Sequence, residues 1–219
     1  MNLLFDLDGT LTNPFVGITR CIQHALSELG RAAPPSAELS RFIGPPLRGT
    51  FAELLSTNDD AAISRAVAIY RERFATEGML ENDVYPGVRS GLKKLSADGH
   101  RLWVVTSKPG IYARKIVAHF GLASWFRETY GSELDGENSN KGDLVRVVLE
   151  TEGLAPTETW MIGDRSHDIR AGRVNGTRTV GVLWGYGTPE ELRAEEPDVI
   201  LGSMVELVER MREAGFVRW

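Results

Sequence analysis

The sequence predicts an α/β protein: a parallel sheet covered by helices on both faces, with a separate helical bundle inserted after the first strand. Short apolar, β-rich runs alternate with amphipathic helical patterns, and near-continuous apolar strands are those buried on both faces of a parallel sheet. One long stretch, from about residue 13 to 85, breaks this alternation and shows helical periodicity throughout. Leu3-Leu4-Phe5 is the first strand, and its start almost at Met1 predicts that no leader precedes the fold. In the inserted stretch, Ile18, Ile22, Ala25, Leu26 and Leu29 line one helical face, and Ile63, Val67, Tyr70 and Phe74 line another. A connection of about 70 residues far exceeds ordinary βα loops of about 2 to 6, so it needs a small core of its own. Asn13-Pro14 and Tyr85-Pro86-Gly87 punctuate its ends, which predicts a core of residues 1–13 and 86–219 around a helical unit of residues 14–85. Beyond it, Leu102 to Thr106, Thr159 to Ile162 and Thr179 to Trp184 read as strands. Between them, Ile111, Lys115 and Phe120 mark one helical stripe, and Leu144, Val145, Val148 and Leu149 another. Met204 to Met211 reads as a closing helix.

With 219 residues, 42% hydrophobic and 25% charged, the composition is that of a soluble globular protein. The single cysteine, Cys21, excludes an internal disulfide framework and falls on the apolar side of the first inserted helix, where it reads as packing. No apolar run approaches the roughly 20 residues that span a bilayer, and no basic segment leads into an apolar stretch and cleavage site. These features predict a cytoplasmic protein with no membrane partner. Thirty acidic against 25 basic residues give a net charge of −5, without the basic stripe that nucleic-acid binding requires.

The chemistry sits at strand ends. The first strand runs into Asp6-Leu7-Asp8-Gly9-Thr10, whose two carboxylates lie on one side of an extended chain before Gly9 lets the backbone turn. Open α/β sheets place their sites at such C-terminal strand ends. A second acidic cluster, Gly163-Asp164-Arg165-Ser166-His167-Asp168, follows the strand Trp160-Met161-Ile162. Carboxylates four apart on a helical turn repel, so a cation should sit between them. Asp6, Asp8, Asp164 and Asp168 gathered at one sheet edge would offer the hard oxygen ligands that select Mg²⁺ and leave room for water and a phosphate oxygen. Thr106 and Ser107, with Lys108, Pro109 and Gly110, lead into a helix whose first amides suit an anion. Lys141 opens a further helix, where a cation opposes the helix dipole unless an anion lies nearby.

In these motifs, Asp6-x-Asp8, Thr106, Lys141 and Gly163-Asp164-x-x-x-Asp168 in order, the chain resembles the haloacid dehalogenase superfamily phosphatases over nearly its whole length. The resemblance implies a Rossmann-like three-layer core with sheet order 5-4-1-2-3 and makes the helical insertion a cap. It further implies that Asp6 is the nucleophile that forms an aspartyl phosphate and that Asp8 is the acid and base. Asp8 would start protonated, favoured by a neighbouring carboxylate and by desolvation. Mg²⁺ would be held by the Asp6 carboxylate, the Asp8 carbonyl and Asp164, with Asp168 direct or through water. Thr106 would hydrogen-bond the phosphoryl group, and Lys141 would neutralise both it and Asp6. Gly9, Thr10, Ser107 and Lys108 complete the expected phosphate site.

Halide-removing relatives lack the second aspartate present here as Asp8, and phosphonate-cleaving relatives use a cap lysine, whereas no lysine precedes Lys93. The loop Phe42-Ile43-Gly44-Pro45-Pro46-Leu47-Arg48 resembles the specificity loop of phosphoglycolate phosphatase-like and 5′-nucleotidase-like members, with Arg48 placed to pair a substrate anion. His167, beside Asp168, resembles the nucleotidase-like branch and is given no catalytic role. The expected activity is Mg²⁺-dependent hydrolysis of a small phosphate monoester, phosphoglycolate or a nucleoside monophosphate. A sugar phosphomutase is the nearest alternative, and a non-catalytic phosphate-binding regulator a remote one. A two-component receiver fits poorly, because its acid pair precedes a separate phosphorylated aspartate and it has no long insertion.

Overall fold

The computed structural model describes residues 1–134 and 140–216, with side chains to residue 213; the last residues of the expected core range, 217–219, lie outside the described residues. The chain divides into two compact units, Met1–Asn13 with Val84–Trp219, and Pro14–Asp83.

The first unit is built on six parallel strands: β1 Asn2–Phe5, β4 Arg101–Pro109, β5 Thr129–Ser132, β6 Thr159–Gly163, β7 Arg178–Val182 and β8 Val199–Leu201. They pair in the order β5-β4-β1-β6-β7-β8. Counted along the chain as sheet strands and read from the β8 edge, this is 6-5-4-1-2-3, the expected order with one strand added. β2 Thr12–Asn13 and β3 Asp83–Val84 are two-residue strands where the chain leaves and re-enters this unit. The two middle strands, β1 and β6, are buried along their length because helices cover both faces: α5 Val88–Ala97, α6 Gly110–His119, α7 Lys141–Glu152, α8 Ser166–Val174, α9 Pro189–Ala194 and α10 Met204–Phe216. One face is a core of Leu4, Trp103, Val105 and Met161 packed under Leu144, Val145, Val148 and Leu149 of α7.

Local chemistry sets these boundaries. The Asn140 side chain caps α7 by accepting from the Gly142 and Asp143 N–H groups at 2.8 and 3.2 Å, and left-handed Gly153 ends it. β1 is pinned at its start by Asn2, which donates to Thr159 Oγ1 and accepts from Arg101 Nε.

Four readings need adjustment. The buried stripe of α6 is Tyr112, Ala113, Ile116 and Val117, while Ile111 is 45% exposed and Lys115 faces solvent. A one-residue phase error turns a helical stripe by 100°. β7 ends at Val182, not Trp184, because the chain there turns toward Asp164. β5 and β8 were not anticipated; Gly131 and Ser132 disguise the first, whereas Val199-Ile200-Leu201 carried a readable β-branched run. Val84 and Tyr85 fall with the core, so the helical unit ends two residues earlier than the Tyr85-Pro86 punctuation indicated.

The second unit consists of α1 Phe15–Glu28, α2 Ser36–Leu39, α3 Leu47–Leu55, α4 Asp60–Arg73 and a wider helical turn at Phe74–Gly78. The expected faces meet here: Ile18, Ile22, Ala25 and Leu26 are buried, as are Ile63, Val67, Tyr70 and Phe74, with Leu29 only partly so. Phe51 packs edge-on against Tyr70, which stacks on Phe74. Cys21 is buried, with Arg73 Nη1 3.2 Å from its sulfur. No helix among the described residues is long and apolar enough to cross a membrane.

Candidate functional site

The site lies at the C-terminal edge of the sheet, where three neighbouring strands end. Asp6 follows β1 directly, and its N–H still donates to Ile162 O at 2.9 Å, so the β1–β6 ladder fixes its backbone beside Asp164. After Asp6 the chain folds into a tight turn in which Leu7 O accepts from the N–H groups of Thr10, Leu11 and Thr12. Gly9, at φ 86°, closes that turn, and a Cβ there would overlap the Asp164 carboxylate. Glycine is therefore required twice over, by conformation and by contact.

Asp6, Asp164 and Asp168 are buried, and each offers a carboxylate oxygen within 4.8 Å of the others. Lys141, the first residue of α7, places Nζ 2.6 Å from Asp6 Oδ1 and 2.9 Å from Asp168 Oδ1. The expected cation is thus present, bridging Asp168 to the first motif rather than to Asp164. Asp164 precedes α8 instead of sharing a turn with Asp168. Asp168 sits in the first turn of α8, where Oδ2 accepts the Arg165 N–H at 3.1 Å. Asp164 accepts from Thr10 Oγ1 at 3.1 Å and from the Tyr186 N–H at 2.8 Å.

Electrostatics follow from burial and from this pairing. Burial works against the Lys141 ammonium, but the charges of Asp168 and Asp6 outweigh it and raise its pKa. Burial likewise pushes Asp168 upward, and the nearby Lys141 charge more than reverses this, leaving it below the usual carboxylate value. Asp6 is raised by burial despite Lys141, and Asp164, with no cation of its own, is raised well above the usual range by burial and by the charges of Asp168 and Asp6. Among the described residues, three buried carboxylates share one ammonium, so ionising all three is costly. A hard divalent cation fits this all-oxygen set and would relieve that cost.

The remaining expected residues are placed as follows. Thr106 is buried at the end of β4, its Oγ1 accepting the Lys108 N–H at 3.3 Å, where the register shifts between Thr106 and Pro109. Ser107 O accepts from Ser132 Oγ at 2.9 Å. Lys108, expected on phosphate, has Nζ 2.7 Å from Asp8 Oδ2. The nearest charge to Asp8 is therefore a cation, not the carboxylate anticipated, because the β4 irregularity carries Lys108 across the Asp6-x-Asp8 turn. Arg48 belongs to the helical unit, where its guanidinium pairs with Asp60 and donates to Ser64 Oγ at 3.0 Å. His167 Nε2 lies 3.8 Å from Asp168 Oδ1.

Sequence reasoning missed the loop Trp184-Gly185-Tyr186-Gly187. Trp184 Nε1 donates to Thr10 O at 3.0 Å, and a Cβ at Gly185 or Gly187 would overlap Asp164. A Gly-aromatic-Gly run just past a parallel strand was the available signal. Glu191, at the start of α9, was also missed; its Oε1 accepts from Arg165 Nε and the Ser166 N–H at 2.9 and 2.8 Å, steadying the loop that leads to Asp168.

Residues 3–182 match the family model described as haloacid dehalogenase-like hydrolase. A 5′-nucleotidase of Pseudomonas aeruginosa is 48% identical over 90% of this chain and 88% of its own length. The tyrosine-protein kinase PtkA of Mycobacterium tuberculosis is 32% identical over 97% of this chain and 71% of its own. A phosphoglycolate phosphatase of Aquifex aeolicus is 29% identical, covering 95% of both chains. Among solved structures, one described as a predicted phosphatase from Clostridium acetobutylicum superposes with a TM-score of 0.92 at 36% identity, over 97% of this chain and 98% of the other.

Proposed function

This chain belongs to the haloacid dehalogenase-like hydrolase family, and from that premise we propose that it hydrolyses a small phosphate monoester through an aspartyl phosphate on Asp6. A nucleoside 5′-monophosphate is the first candidate substrate, since the 48% identical relative carries the name 5′-nucleotidase, and 2-phosphoglycolate is the second. The observation that carries the reading is Asp6 itself: a buried carboxylate at a sheet edge, held by Lys141 at 2.6 Å within a buried acidic cluster.

In the first half-reaction an Asp6 oxygen attacks phosphorus in line, the ester P–O bond breaks, and Asp8 gives its proton to the departing alkoxide. In the second, Asp8 takes a proton from water, the water oxygen attacks the aspartyl phosphate, and inorganic phosphate leaves as Asp6 is restored. Lys141 holds Asp6 in place and offsets the charge that Asp6 and the phosphoryl group bring together. Thr106 Oγ1 and the amides that open α6 receive the phosphoryl oxygens. For Asp8 to carry that proton, Lys108, 2.7 Å from it in the free protein, passes to a phosphoryl oxygen when substrate arrives. Mg²⁺ bound by the Asp6 carboxylate, the Asp8 carbonyl, Asp164 and Asp168 would supply charge neutralisation between nucleophile and phosphate dianion.

The helical unit is proposed as the cap that selects the ester, with Arg48 offering its guanidinium to a second substrate anion. Its exposed pairing with Asp60 is of a kind worth about 0–1 kcal/mol, so exchange of partner costs little. The single cysteine and the small phosphorylated substrate support a cytoplasmic setting.

The test is phosphate release by the purified protein with Mg²⁺ across nucleoside 5′-monophosphates, phosphoglycolate and sugar phosphates. A preference of at least about 100-fold, near 2.7 kcal/mol in transition-state discrimination, names the substrate. Asp6→Asn abolishes turnover in a correctly folded protein. Substantial phosphate release by that variant refutes the nucleophile assignment, and an isomerised product without free phosphate would identify a mutase.

A further inference from the structure

The loop Gly185-Tyr186-Gly187 reaches two parts of the core at once. Its backbone runs against Asp164 so closely that no side chain fits at either glycine, and the Tyr186 N–H donates to Asp164 Oδ2 at 2.8 Å. Its side chain points elsewhere. The Tyr186 hydroxyl donates to Asn13 Oδ1 and lies close enough to the Tyr85 hydroxyl for the two to interact electrostatically. Asn13 is the last core residue before the chain departs for the helical unit, and Tyr85 follows Val84, the first core residue after its return. Tyr85 is itself tied to the outgoing segment by its N–H, which donates to Leu11 O at 3.1 Å.

We propose that Tyr186 is a positioning residue: its phenol clamps the two roots of the inserted unit together, and through its backbone amide the same residue sets the orientation of the Asp164 carboxylate. The inference rests on the reading that Asp6, Asp164 and Asp168 hold a divalent cation. Geometry makes the connection short. The phenol and the amide belong to one residue, glycines flank it on both sides, and the phenol is held by Asn13 with Tyr85 beside it. Both phenols remain donors at neutral pH, since burial first and the charge of Asp164 next raise Tyr85 to about 12, and burial raises Tyr186 further. If the roots separate, the clamp opens and the amide loses its fixed aim on Asp164. Metal affinity and the state of the roots are then linked by a single hydrogen-bonded side chain.

The experiment is Mn²⁺ binding by calorimetry to the full chain without substrate, for wild type, Tyr186→Phe, Asn13→Ala, the double variant and Asp164→Asn. Tyr186→Phe keeps the amide and removes the hydroxyl, and is expected to weaken Mn²⁺ binding about 3- to 10-fold, the range that loss of one hydrogen bond brings. Asn13→Ala should do the same, and the double variant should be no weaker than either single one, because both break the same clamp. Thermal unfolding in EDTA checks that each variant folds; if Tyr186→Phe does not, Asn13→Ala and Tyr85→Phe carry the test. Unchanged Mn²⁺ affinity in the clamp variants, with binding abolished in Asp164→Asn, overturns the role of Tyr186 and leaves the metal site standing. Additive losses in the double variant overturn the shared clamp. Full Mn²⁺ binding by Asp164→Asn removes instead the metal reading on which the proposal rests.

Discussion

Replacing Lys141 with methionine keeps most of the length of the side chain and deletes the cation that, among the described residues, touches both Asp6 and Asp168. The side chains involved are almost wholly buried, 3% exposed for Lys141, 6% for Asp6 and none for Asp168. At an effective dielectric constant of about 20, attraction across 2.6 and 2.9 Å is about 6 kcal/mol for each contact. Most of that is spent in offsetting desolvation, and breaking a buried pair by removing one partner costs about 3–5 kcal/mol in practice. Lys141→Met should therefore lose about 3–5 kcal/mol of stability at pH 7.5 in EDTA, measured by urea unfolding. The loss should depend on pH in a defined direction. Asp168 is depressed in the native protein, so its contribution is present above the unfolded carboxylate value near 3.9 and is lost as pH falls through the native value. The difference between wild type and variant should accordingly hold down to about pH 4 and narrow as pH falls below it. Turnover should drop by about 100-fold or more, as when a charge-stabilising donor is removed. A stability loss under about 1 kcal/mol that does not change with pH would refute the assignment of Lys141 as the charge that holds this cluster together.

Other outcomes follow from single contacts. Gly185→Ala should reduce turnover while costing about 1–3 kcal/mol of stability, because its new methyl must displace Asp164; full activity in a kinetic assay would show that the loop can yield. Arg48→Ala should leave the melting temperature nearly unchanged, since its partner pairing is exposed, and raise KM for any ester bearing a second anion; an unchanged KM removes Arg48 from substrate selection. Among the described residues, neither ring nitrogen of His100 has a hydrogen-bond partner, and burial, then the N-terminal charge, lowers its pKa below the usual value near 6.5. Its folded form disfavours protonation, so stability should fall as pH drops through about 6.5, and His100→Gln should flatten that part of a melting profile against pH.

The principal motifs were legible because their chemistry is local. Asp6 and Asp8 stand two apart at a strand end, Gly9 is set by the turn that follows them, and Asp164 and Asp168 flank the start of one helix, so short windows of sequence expose them. Helical stripes such as Leu144, Val145, Val148 and Leu149 were equally readable, since 3.6-residue periodicity is a property of neighbours. The α6 stripe shows the limit of this: with Ile111 and Phe120 both apolar, the pattern alone did not fix its phase, and packing against the sheet chose Tyr112 and Ile116.

By itself the sequence determined an α/β core, the position of a helical insertion and the acidic motifs at strand ends, all of which follow from period, punctuation and spacing. Tertiary structure alone decided which distant groups meet. Lys141 reaches Asp6 across 135 positions, and Tyr186 meets Asp164 across 22 and Asn13 across 173. Such pairings depend on parallel strand order and loop path, which bring remote segments to one sheet edge and leave no periodic trace in the residues themselves. Lys108 illustrates the point most directly, because the sequence placed it near phosphate and only the irregular end of β4 gave it to Asp8.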